Sequence, residues 1–130
     1  MELARRFKMK PSAQPDRNAA PGTATAPDLG PALDLLWTRF LTEIRTRVDL
    51  LEAAASACGA NQLSAAERDQ AHAAAHKLAG TLGTFNLARG TDLAREFELA
   101  VFYEGTPAPA LAERLAAIAA ELRTLIDGRG

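Results

Sequence analysis

At 130 residues the chain has the length of one domain and can bury a real core. A make-up of 48% hydrophobic but only 5% aromatic residues, in long Ala/Leu/Glu/Arg runs, favours helices and argues against strands. Arg5, Arg6, Lys8, Lys10 and Arg17 outnumber Glu2 and Asp16 over residues 1–27, a net of +3; this leaves −4 on residues 28–130, an acidic body without the basic stripe that nucleic acid requires.

Residues 1–27 hold Pro11, Pro15, Pro21 and Pro27 among Ala, Thr, Gly and Asn, the composition of a disordered tail or linker. Residues 28–130 read as four helices. Asp28 and Gly30-Pro31 open the first, whose apolar positions Leu33, Leu36, Trp37, Phe40, Leu41, Ile44, Val48 and Leu51 recur at threes and fours until it stops at Gly59-Ala60-Asn61. Ser64-Ala65-Ala66-Glu67 is a capping box and starts the second, which ends near Phe85-Asn86, a residue suited to a left-handed cap. The third spans about Leu87 to Glu104 with Leu93, Phe97, Ala100 and Val101 inward, and Gly105 stops it. Thr106-Pro107 caps the fourth, with Leu111, Leu115, Ile118, Leu122, Leu125 and Ile126 as its stripe and Gly128 at its end. Four amphipathic helices joined by short turns predict an all-α, up-down-up-down bundle.

The second helix carries the run Ala-Ala-Ala-His76-Lys77-Leu78-Ala79-Gly80. With Leu78 as zero and about 100° per residue, Ala71, Ala74, Ala75, Leu82 and Phe85 fall within roughly 60°, whereas His76 lies about 160° away and faces water. Its outward neighbours Ala73, Ala79, Gly80 and Gly83 are all small. An interior glycine costs about 1 kcal/mol relative to alanine, so two of them beside an exposed imidazole suggest a nucleophile kept clear for something bulky.

His72 stands one turn before His76, but neither a Glu after the first His nor a third ligand accompanies the pair, so zinc is not expected. His72 is read instead as the edge of a docking surface. Cys58 is the single cysteine; no internal disulfide is possible, and a reducing cytosol fits. Nothing apolar of about 7–15 residues follows Arg5-Arg6, as an export signal requires. No run approaches the roughly 18 apolar residues of a membrane span. The expectation is a soluble, cytoplasmic monomer that binds neither membrane nor nucleic acid.

The order His76, Leu78, Gly80, followed by Asn86 and the Phe97-Glu98 pair, resembles the histidine-containing phosphotransfer (HPt) domain of bacterial phosphorelays. That family has a phospho-accepting histidine, a leucine at two, often a lysine at three and a glycine at four, then commonly a glycine at ten and Glu or Gln at twenty-two after an apolar residue. The likeness covers residues 71–98 directly and, through the helix layout, 28–127. Two positions depart from the pattern: Ala79 replaces the lysine, and Asn86 the glycine at ten.

The resemblance implies that His76 accepts a phosphoryl group and that Glu98 accepts from its Nδ1–H, orienting the ring and presenting Nε2. With Ala79 in the lysine's place, Lys77 or Arg95 would neutralise the phosphoryl group, unless both are simply solvated cations. Gly80, with Gly83, Ala73, Ala79 and His72, would form the docking surface. The partners implied are receiver domains of response regulators or a hybrid sensor kinase. No cofactor is expected on this chain, the receiver supplying Mg²⁺, and no ATP binding or autokinase activity. One alternative is a phosphate-independent docking or scaffolding bundle, which Ala79 favours. Another, the dimerisation and acceptor part of a sensor kinase, is disfavoured by four helices in one chain.

Overall fold

The computed structural model describes residues 29–102 and 108–129. The chain divides into two units, Met1–Ala32 and Leu33–Gly130. Among the described residues there are four helices and no strand: α1 (Gly30–Gly59), α2 (Ala65–Thr84), α3 (Ala88–Ala100) and α4 (Ala108–Arg129). The expected tail over 1–27, Asp28, the Gly105 stop and the Thr106-Pro107 cap lie outside the described residues.

Local chemistry accounts for three of the described boundaries, the start of α2 and the ends of α1 and α2. Ser64 Oγ accepts from the Glu67 amide at 3.1 Å while Glu67 Oε1 accepts from the Ser64 amide at 3.0 Å, a reciprocal capping box. Two asparagines with positive φ, Asn61 at 59° and Asn86 at 61°, end α1 and α2. At the second, Leu87 N–H reaches back to the Leu82 carbonyl (2.9 Å) and Asn86 N–H to that of Gly83 (3.1 Å). Asn61 and Gln62 make the same pair of bonds to Cys58 and Ala57. Both are Schellman closures, and asparagine is the residue after glycine that tolerates them. Two expectations need correction: α3 ends at Ala100, short of Glu104, and α4 runs through Gly128 to Arg129.

Contacts at the helix ends fix the up-down-up-down order within Leu33–Gly130. Trp37 near the start of α1 meets Phe85 at the end of α2, ring centroids 5.1 Å apart and nearly perpendicular. Arg129 at the end of α4 lies over Trp37 at 4.8 Å, whereas Cys58 at the other end of α1 meets Ala108 at the start of α4. Arg89–Glu121 and Glu96–Arg114 pair α3 with α4 head to tail. Arg68 at the start of α2 donates to the Val101 carbonyl at the end of α3.

The core is mostly aliphatic, with Ile44, Val48, Leu51, Leu78, Leu82, Leu115, Leu122 and Ile126 fully buried beside the aromatic Phe97. Each such side chain contributes roughly 1.5–3 kcal/mol. Ion pairs lace the outside, Arg123 reaching both Asp49 (2.5 Å) and Glu52 (2.7 Å) on α1. They are largely exposed and each adds at most about 1 kcal/mol. Leu36 and Phe40, assigned to the α1 stripe, are 38% and 44% exposed. They border a groove between α1 and α2, because the partner helix does not cover that side of the stripe.

Candidate functional site

α2 is buried over a wider arc than a single stripe. Ala71, Ala74, Ala75, Leu78 and Leu82 are joined by Ala79, which is only 5% exposed. Ala79 therefore does not face outward as expected. α3 packs against that flank, and Thr91 Oγ1 donates to the Ala79 carbonyl at 3.0 Å. What remains open is a narrow strip carrying Ala73, His76, Gly80 and Gly83, with Lys77 beside it.

His76 projects from this strip with 74% of its side chain exposed. Its Nδ1 lies 2.9 Å from Oε2 of Glu98, the residue 22 positions on and in the last turn of α3. The carboxylate is the sheltered member of the pair, 19% exposed. A carboxylate only accepts, so Nδ1 carries a proton, and in the neutral ring Nε2 keeps its lone pair. Among the described residues Nε2 has no hydrogen-bond partner, and it is the nitrogen left for chemistry.

Gly80 lines two hollows, one of which also contains the imidazole. One, of about 410 Å³, is bordered by His76, Ala79, Gly80, Arg95, Glu98 and Leu99. The other, about 480 Å³, lies toward α1 and includes Leu36, Phe40, Arg47, Lys77 and Thr84. The two candidate cations are thus separated: Arg95 shares the hollow of His76, whereas Lys77 faces the α1 side. A Cβ placed on Gly80 would meet nothing within 4 Å. The bundle's own packing gives no reason for glycine there.

Gly83 differs, since a Cβ on it would come within 3.4 Å of Thr91 Oγ1. Gly90, which the sequence reading did not single out, is tighter still: its Cβ would lie 2.9 Å from Leu82 Cδ1. A glycine inside a predicted helix was the available signal for this close approach of α3 to α2. His72, expected at the docking edge, is 40% exposed and has its Nε2 3.5 Å from the same Glu98 oxygen. Among the described residues no three His, Cys, Asp or Glu side chains are arranged to hold a metal ion.

An all-helical bundle that holds one imidazole in solvent, tethered by a carboxylate from the adjacent helix, has the build of a group carrier. The family model of the Hpt domain matches residues 35–128, and the chain belongs to that family. Its members serve histidine phosphotransfer in phosphorelays as phosphocarrier modules, working with receiver domains and kinases. No curated protein and no solved structure matches the chain. Among the described residues no helix is long and apolar enough to cross a membrane.

Proposed function

We propose that His76 is the phosphoryl acceptor of a phosphorelay intermediate, loaded by an aspartyl phosphate on a receiver domain and discharged to another receiver. The observation that carries this reading is the 2.9 Å contact of Nδ1 with Glu98 on a ring that is 74% exposed. In the transfer, the Nε2 lone pair forms the N–P bond as the aspartyl O–P bond breaks, and the receiver carboxylate leaves. Nδ1 keeps its proton throughout. The positive charge that develops on the ring is stabilised by Glu98, a role like that of the orienting acid in a catalytic triad. Discharge reverses these events.

Arg95, in the same hollow, is the cation placed to face the phosphoryl oxygens; Lys77 would steer the partner from the α1 side. Phosphoryl transfer relies on positioning and charge neutralisation, and the receiver's Mg²⁺ supplies much of the latter. Gly80 and Gly83, with Ala73 beside them, leave the room a second protein needs. Residues 28–130 form the working module, monomeric and cytoplasmic, with residues 1–27 as a spacer.

The test is incubation with phosphorylated receiver domains of the source genome in the presence of Mg²⁺. His76 should acquire an acid-labile, alkali-stable phosphate, and His76→Gln should acquire none. Receiver binding without transfer would instead select a docking module, and equal labelling of His76→Gln would rule out this acceptor.

A further inference from the structure

We infer that His72 is a positioning residue, a second polar contact that biases the Glu98 carboxylate toward α2 and so holds it in place for His76. His72 and His76 sit one turn apart on α2, so both rings reach across to α3 from the same face. They converge on a single atom: Glu98 Oε2 is 2.9 Å from His76 Nδ1 and 3.5 Å from His72 Nε2. The rings approach through opposite nitrogens. The 2.9 Å contact sets the Nδ1–H tautomer of neutral His76, and an Nε2–H on His72 would aim its dipole at the same oxygen.

The two imidazoles are not equally anchored. His76 is 74% exposed, whereas His72 is 40% exposed and meets the Phe102 ring edge-on, centroids 5.0 Å apart at 68°. Phe102 in turn lies 6.0 Å from the Arg68 guanidinium, whose donation to the Val101 carbonyl ties α2 to the end of α3. Restraint thus passes from Phe102 to His72, from His72 to Glu98, and from Glu98 to the exposed ring. A glutamate has three rotatable bonds, and one contact to a mobile imidazole would leave it free to swing. At 3.5 Å the His72 contact is longer than a well-formed hydrogen bond, so it acts as an oriented dipole that biases Oε2 toward α2.

This role rests on His76 being the acceptor proposed above, and two readouts separate the two ideas. One is ¹⁵N NMR of the neutral imidazoles in the full chain, which needs no phosphate. The other is labelling by phosphoramidate, in which Nε2 of His76 forms the N–P bond as the donor's P–N bond breaks and ammonia leaves. His72→Leu should lower the Nδ1–H fraction of His76 and slow labelling roughly two- to threefold, the lower end of one net hydrogen bond's worth. His72→Gln places an amide N–H near the position of the lost Nε2–H and should restore both. Unchanged tautomer and rate in His72→Leu would overturn the inference. A folded His72→Gln no better than the leucine variant would also overturn it, reducing His72 to packing. Failure of the unsubstituted chain to label would count against the acceptor reading, while the NMR comparison would still decide the role of His72.

Discussion

Thr91 donates its hydroxyl to the carbonyl of Ala79 at 3.0 Å and so ties the first turn of α3 to the turn of α2 that follows His76. The bond crosses the same face that a Cβ on Gly83 would enter, 3.4 Å from the hydroxyl. Together these contacts set how far apart the two helices run beside the site. Thr91→Val keeps the shape and removes the donor. It should cost roughly 0.5–1.5 kcal/mol, read as a lower urea midpoint with an unchanged slope.

Gly80 and Gly90 should respond oppositely to alanine. At Gly80 the added methyl meets nothing, so Gly80→Ala should stabilise the bundle by about 1 kcal/mol through helix propensity. At Gly90 it would press to 2.9 Å from a buried Leu82 methyl, and Gly90→Ala should lower the melting temperature.

A bulky residue at Gly80 separates docking from chemistry. Gly80→Gln should fold and still accept phosphate from phosphoramidate at close to the normal rate. Transfer from a phosphorylated receiver should fall at least about tenfold, because the obstruction meets only a protein partner. Equal loss with both donors would show that the substitution damages the histidine itself.

Glu98 should tolerate the loss of its charge better than the loss of its oxygen. Glu98→Gln retains a carbonyl that can accept from Nδ1–H but loses the charge that offsets the developing imidazolium, so it should keep more of the transfer rate than Glu98→Leu. Glu98→Leu should cost roughly three- to tenfold and raise the Nε2–H fraction of His76, visible in the ¹⁵N spectrum.

Acid should weaken the bundle through two carboxylates away from the site. The Ser64 amide and hydroxyl hold the Glu67 carboxyl below its usual range, and Arg89 does the same to Glu121. A depressed folded-state value means that the stabilisation is complete above the unfolded value, about 4.3, and fades as pH falls through the folded one. The difference in melting temperature between the parent and Glu67→Ala should therefore be present at pH 7 and shrink below about pH 4.

Features set by near neighbours in the chain were legible before any coordinates. The Ser64–Glu67 box and the left-handed Asn86 follow from a few adjacent residues, and so does the outward aim of His76. Glu98 was reached through family likeness, since its distance from His76 depends on how α3 lies against α2. Ala79, Leu36 and Phe40 were misplaced for a common reason. A helical wheel presumes one buried stripe, but α2 is covered along a second flank and α1 is left bare along part of its own. The approach of His72 to Glu98 was invisible for a further reason: it requires two rings to select opposite nitrogens toward one oxygen.

The closure at Asn86 brings α3 back along α2 after only Phe85, Asn86 and Leu87, so His76 and Glu98 belong to one helical hairpin. Their meeting depends on phase. One residue inserted between Ala88 and Glu98 would turn the carboxylate by about 100° around α3 and carry it away from the imidazole. Lengthening the connection between α3 and α4 would leave that phase untouched, so the molecule can absorb insertions there far more readily than within the hairpin.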